Sequence, residues 1–423
     1  MSLTACEKEI FNRILKEELV PATGCTEPVA IAYAAAAAKK ALGCEPEVCE
    51  AELSGNIIKN ARCVAVPNTG GLKGIEAAVA AGVVAGRAEL ALDVLSSASG
   101  REEEIRDFLE KRGVSVRPAD NDLTFFIRVT VGAGSSRAKA VIEGFHTNLV
   151  LIEKDGRELF RSGAKSNPCC VADRSMLTVE KIVEFADVAD LDEIREILER
   201  QIAFNSAISE EGLKGDWGAN VGKVILKTFG DSPESRLKAV AAAGSDARMG
   251  GCDKPVIIVS GSGNQGITAS VPVVEYARQK AADRERLLRA LIVADLTTIH
   301  QKTGIGRLSA YCGAVSAGCG AAAGIAYLNG GGYSEIAHTV VNALAVCSGM
   351  ICDGAKPSCA AKIATSVDAG LLGYHMYRCG NQFYAGDGIV KSGIEHTIET
   401  VGTLAHTGMA DTDRQIVRLM MED

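Results

Sequence analysis

Apolar positions change character twice along the chain. Ile10, Ile14, Leu15 and Leu19 recur at helical spacing and predict an opening amphipathic helix. An Ala-rich run after Pro28 predicts a second helix. Pro28 falls in its first turn and Thr26 or Glu27 in the cap region, so Cys25 sits just ahead of a helix N-terminus. Residues 48–53 and 61–66 read as short strands, and Asn68-Thr69-Gly70-Gly71 as a turn into another helix of small residues. From about residue 91 the pattern differs. Residues 102–112 predict a helix, and 114–116, 125–131, 138–142 and 149–153 predict strands bounded by Gly, Asp and Asn. After Thr178 the spacing is helical to the C-terminus, with no solenoid repeat and no low-complexity linker. The expected fold is α+β: a mainly helical domain from residues 1–90 and 175–423, carrying a small α+β domain over 91–174.

Composition narrows what such a fold does. A length of 423 residues exceeds one ordinary core, and 47 % hydrophobic with 23 % charged residues is the balance of a soluble globular protein. Aromatics are only 4 %, so the core is expected to be Ala, Val, Ile and Leu, with Gly allowing close backbone approach. Net charge is −8 and no basic stripe with interleaved aromatics occurs, which argues against a nucleic-acid partner. The first 19 residues mix Glu and Lys with apolar residues, and no apolar run of about 18 exists. No membrane partner is expected and the protein is read as cytoplasmic. In a reducing compartment the 14 cysteines are then either small buried hydrophobes or chemistry, not disulfides.

Five of those cysteines group. Cys312 and Cys319 lie in Tyr311-Cys-Gly-Ala-Val-Ser-Ala-Gly-Cys-Gly320, and Cys347, Cys352 and Cys359 follow in one stretch. Gly354 and Pro357 break any helix there, so Cys352 and Cys359 border a loop, and a loop lets thiolates converge on an iron–sulfur cluster. With neither CxxC pairs nor a spaced His pair, structural zinc is weakly supported. Spacing alone leaves a cluster and plain buried thiols both open.

A second motif, Ser260-Gly-Ser-Gly-Asn-Gln-Gly266, spells G-x-G-x-x-G after an apolar run. A dinucleotide reading fails, because the chain stays helical through Gln301 with no second strand and no acidic residue at a strand end. The remaining readings are a structural cap and an anion site, in which free N–H groups with Ser260, Ser262, Gly263, Asn264 and Gln265 hold a carboxylate. Arg248, in Ser245-Asp-Ala-Arg-Met-Gly-Gly251, is a further carboxylate clamp unless it pairs with Asp246. His146 lies between two predicted strands, where a structural role is the plainer reading. Cys25, near a helix N-terminus, is either a reactive thiol or a buried small residue.

Together, Thr23-Gly-Cys-Thr-Glu-Pro28, His146-Thr-Asn148, the Ser245–Gly251 and Ser260–Thr268 stretches, Met350-Ile-Cys-Asp-Gly-Ala355 and Ser358-Cys-Ala360 resemble the L-cysteine desulfidases, relatives of the alpha chain of iron–sulfur L-serine dehydratases. The resemblance runs from about residue 5 to the C-terminus. It implies a lyase that uses neither pyridoxal phosphate nor NAD and converts L-cysteine to pyruvate, ammonia and hydrogen sulfide. It also implies a [4Fe–4S] cluster held by Cys312, Cys352 and Cys359, with Cys25 matching an active-site cysteine; Cys319 and Cys347 fall outside the pattern. A small amino acid is the expected partner, and the protein is expected as a homo-oligomer, a dimer. The alternatives are L-serine as substrate, a non-catalytic cluster-bearing sensor, or an enzyme of this fold without its cluster. Asn60–Gly70 replaces a more Gly-rich segment, and Cys63 and the pair Cys169-Cys170 are departures, so a substrate other than cysteine stays open.

Overall fold

The computed structural model describes residues 3–121, 123–162, 172–306 and 308–422, leaving Cys169 and Cys170 outside the described residues. Helix α1 (Ala5–Glu18) leads through strand β1 (Pro21–Thr23) into α2 (Thr26–Leu42), β2 (Val48–Leu53), α3 (Gly55–Ala61) and α4 (Gly74–Ala85). Helix α5 (Glu102–Arg112) precedes β3 (Ser115–Pro118), β4 (Phe126–Ala133), β5 (Ser136–Glu143), β6 (Leu149–Lys154) and β7 (Arg157–Arg161). Next come α6 (Val179–Val188), α7 (Arg195–Lys214), α8 (Val221–Phe229), α9 (Pro233–Met249), β8 (Pro255–Ile257) and α10 (Gly263–Gln279). The chain ends with α11 (Arg284–Ile305), α12 (Gly313–Leu328), α13 (Tyr333–Cys347), α14 (Cys359–Arg378), α15 (Ile394–Thr403) and α16 (Ala410–Met421). The protein is 60 % helical and the fold is α+β, as the residue patterning predicts.

Local chemistry explains the main boundaries. Thr4 and Glu7 form a reciprocal capping box that starts α1. Strand β2 buries Cys49, Ala51 and Leu53 on alternate positions, which seats it inside the sheet. That sheet has six strands in the order β3-β2-β4-β5-β6-β7, parallel only between β2 and β3. Its core is shared with α2 and α4, so the α+β part draws β2 and α2 from before residue 91. The two helices touch backbone to backbone: a Cβ on Gly82 would strike Ala32. This is how an aromatic-poor core reaches full density.

Two strand readings need correction. Residues 61–66 are not a strand. Helix α3 ends at Ala61, and the following turn is tied by Val66 N–H to Leu72 O and Gly74 N–H to Val64 O. Strand β7 has no apolar alternation to betray it, because all five residues are exposed on a sheet edge.

The larger core lies among α11, α12, α13 and α14. Helix α16 closes the chain against α3, where buried Lys59 Nζ meets Asp413 Oδ1 at 2.5 Å and Ser309 O at 3.3 Å. Removing one partner of a buried pair strands the other charge. Asp413→Ala is therefore expected to cost about 3 kcal/mol and to open α16 to protease; limited proteolysis with chemical denaturation checks both.

Candidate active site

Four helices begin at one cavity. Cys25 is itself the N-cap of α2, Ser262 caps α10, Cys312 caps α12, and Cys359 is the first residue of α14. All four line a hollow of about 120 Å³ together with Glu27, Asn60, His146, Arg248, Asn264, Gln265 and Cys352. Each helix start turns unpaired N–H groups and the positive end of its dipole toward the hollow. The volume is below the roughly 300–1,000 Å³ of sites for drug-sized ligands, so the cavity suits a small molecule.

The three cysteines reach the wall by different routes. The strands of chain at residues 310–312 and 350–352 zip together: Cys312 N–H bonds Met350 O at 3.0 Å, and Cys352 N–H bonds Ala310 O at 2.6 Å. Cys359 enters from the turn behind, its N–H on Lys356 O at 2.9 Å. Burial pushes the Cys312 thiol up to about 12, and the sulfurs of Cys352 and Cys359 push the same way. Burial also raises Cys359, again with a contribution from Cys352. Beside them Lys362 bonds Ile351 O at 2.9 Å and pairs with Asp353. Cys319 and Cys347 lie in the helical core and do not line the cavity. Among the described residues, no three His, Cys, Asp or Glu side chains are placed to grip a single metal ion.

The glycine-rich turn faces the cysteines. Ser260 holds φ of 49° and Gly261 of 79°, so a non-glycine residue is kept in the left-handed region at the cavity edge. A Cβ on Gly263 would run into Arg248 Nε, and one on Gly266 into Ile257 O. The motif's glycines thus let an arginine cross the helix start and seat the helix on β8. Strand β8 pairs with β1, and α10 and α11 follow it, so no βαβ unit forms here among the described residues.

Arg248 is free of the partner that its neighbourhood in sequence suggests. Asp246 instead accepts from Gly222 N–H at 3.0 Å, at the start of α8. The guanidinium of Arg248 donates to Gly24 O at 2.8 Å and Asn264 Oδ1 at 3.2 Å, while its buried Nε has no partner among the described residues.

Elsewhere in the lining Cys25 Sγ donates to Glu27 Oε2 at 3.0 Å. Asn60 Nδ2 donates to Glu27 Oε1 at 3.0 Å, and Thr26 Oγ1 lies 3.2 Å from Oε2. His146 is stacked edge-on against Phe125, with Nε2 at 3.9 Å from Glu27 Oε1, beyond hydrogen-bond reach. Burial alone would raise the Glu27 carboxyl, but the nearby imidazole and the Cys25 thiol outweigh it and hold the group well below the usual range. Burial, then Glu27, pushes the Cys25 thiol well up.

All of the expected side chains except glycine Gly263 line this cavity, and Gly263 opens the helix beneath it. Glu27 and Asn60 were not among them. Glu27 stands in the Thr23–Pro28 motif, but an acidic residue in a helix first turn also reads as a simple dipole complement. Asn60, near the end of α3, opens the Asn60–Gly70 stretch that departs from the resemblance, but Asn60 itself does not stand out in sequence.

This fold and cavity belong to a class of proteins known from other sequences. The pattern of the serine dehydratase alpha chain family matches residues 91–418, and the chain belongs to that family. A UPF0597 protein of Desulfitobacterium hafniense is 54 % identical over 415 residues, covering 98 % of this chain and 96 % of the relative. UPF0597 proteins of Treponema denticola and Lachnoclostridium phytofermentans are 46 % identical over 433 residues and 48 % over 411. The first covers 100 % of both chains; the second covers 96 % of this chain and 98 % of the relative. Among the described residues, no helix is long and apolar enough to cross a membrane.

Proposed function

We propose that the chain is a lyase that carries out β-elimination on a small L-amino acid, with L-cysteine as substrate and pyruvate, ammonia and hydrogen sulfide as products. The observation that carries this reading is the convergence of three thiols, one buried and two half-buried, and an uncommitted arginine edge on one small cavity.

The donor set fits a [4Fe–4S] cluster. Cys312 and Cys359, whose thiols burial pushes up, stand at helix starts with the Cys352 sulfur beside them, and such a set favours a polycation that would take the thiolates. Cys312, Cys352 and Cys359 would hold it, and with three protein ligands a bound cluster supplies a Lewis-acidic iron for the substrate's leaving atom. Every other role falls to side chains. Arg248 and the Ser262–Gln265 helix start bind the carboxylate and fix the Cα–H and Cβ bonds for elimination. Cys25 carries its proton on Sγ and points it at Glu27, so it enters the reaction as a proton-bearing group. Loss of the α-proton and of sulfide leaves aminoacrylate, which water converts to pyruvate and ammonia.

The family match supports L-serine as the second reading, with water leaving in place of sulfide. A soft iron site prefers sulfur, which places cysteine first. Anaerobic reconstitution with iron and sulfide, followed by assay of sulfide, ammonia and pyruvate from both amino acids, tests the proposal. Pyruvate from L-cysteine and loss of bound iron in a Cys312/Cys352/Cys359 triple-alanine variant are expected. Iron bound equally by that variant, or no pyruvate from either substrate, overturns it.

A further inference from the structure

We infer that Glu27, Asn60 and His146 form a receptor for the α-ammonium group of the substrate, so that the cavity recognises a zwitterion and not merely a carboxylate. This deepens the lyase reading and rests on it only for the identity of the side chain at Cβ.

The first support is a buried carboxylate with no cation in hydrogen-bond contact. Glu27 is buried, yet each of its hydrogen-bond partners is neutral: a thiol, a hydroxyl and a carboxamide. Its one ion-pair neighbour among the described residues is the imidazole at 3.9 Å. A buried carboxylate held in this way calls for a cation. The second support is a pair of orphaned atoms. Asn60 Oδ1 and His146 Nε2 are buried and have no hydrogen-bond partner among the described residues, although both side chains line the cavity. Buried polar atoms are rarely left unmatched, and these two flank the same carboxylate. Glu27 and Asn60 offer oxygen acceptors to an ammonium group, and His146 Nε2 adds a third when the ring is neutral.

The same cavity offers the complementary charge. Arg248, with its unpartnered Nε, donates to Gly24 O, next to Cys25. A carboxylate at Arg248 and an ammonium at Glu27 fix two of the four substituents on an α-carbon. Cys312, Cys352 and Cys359 line the same cavity, where a β-substituent would meet them. Three fixed directions distinguish an L from a D amino acid.

The test uses the anaerobically reconstituted chain and ligands that cannot react. Calorimetric titration is run with L-alanine, propionate and N-acetyl-L-alanine, the last two lacking the cation. L-alanine is expected to bind, and the other two to bind about 30-fold more weakly or worse, as when one member of a buried charge pair is removed. Glu27→Gln is expected to bring L-alanine down to the level of propionate, and Glu27→Asp to restore part of the difference. Equal binding of the three ligands by the parent chain, no binding of L-alanine, or unchanged L-alanine affinity in Glu27→Gln overturns the inference. The ligand series needs no variant and stands if Glu27→Gln fails to fold. Ammonium-dependent binding without pyruvate formation would sink the lyase reading and leave the receptor in place. Pyruvate formation with no ammonium preference would do the reverse.

Discussion

Replacing Arg248 by glutamine is expected to lower kcat/KM for L-cysteine about a hundredfold or more, with the fold retained. The guanidinium bonds Gly24 O and Asn264 Oδ1 and keeps Nε free, so it joins the Cys25 loop to the glycine-rich turn and still has an edge for a ligand. Glutamine can replace at most one of these contacts and brings no charge. A carboxylate brought into a buried cavity without its cation carries its full desolvation cost. Arg248→Lys should recover little, because an ammonium cannot present two parallel donors. The loss should appear mainly in KM, since a carboxylate is bound alike in ground and transition states. Steady-state kinetics on the reconstituted protein check it, and a glutamine variant with the parent's kcat/KM would remove Arg248 from substrate binding.

Asp295→Asn is expected to stabilise the protein at pH 8 and to make no difference near pH 4. Asp295 is fully buried in α11; Gln201 Nε2 donates to its Oδ1 at 2.9 Å, and Oδ2 has no partner among the described residues. Burial pushes its carboxyl up from 3.8 to about 7. The unfolded chain ionises the group near its ordinary value. Between the two pKa values the unfolded state has therefore lost a proton that the folded state keeps. Stability falls as pH rises from about 4 to about 7 and is level beyond, by about 4 kcal/mol in all. Asparagine mimics the protonated form and keeps the bond from Gln201, so the variant should escape that fall. Thermal unfolding at the two pH values measures it; an equal gain at both would exclude titration of Asp295 as the cause.

Much of the architecture is legible in local pattern. Helix α5 and strand β2 lie within a few positions of where the residue patterning puts them, and the Ala-rich α2 follows from composition. What pattern does not show is direction. Residues 61–66 alternate like a strand, yet two backbone bonds to residues 72 and 74 turn them aside. Strand β7 owes its place to its neighbour β6 and not to its own side chains. The site divides in the same way. Cys312, Cys352 and Cys359 stand out because thiols and helix breakers coincide, and only the resemblance selects them from five. Glu27 and Asn60 become visible once a contact across 33 positions shows them facing one another.

The family pattern begins at residue 91, whereas Cys25, Glu27 and Asn60 all precede it. The three cysteines proposed as ligands and the Cys25–Glu27–Asn60 network thus lie in separate lengths of chain that meet only in three dimensions. A shorter protein retaining only the later length would keep the sulfur ligands, the arginine and the glycine-rich turn. To hold the same substrate it would have to borrow an acidic wall from a second polypeptide. In this chain Glu27 and Asn60 sit on the same polypeptide as the sulfurs, so the two lengths are always present in equal number.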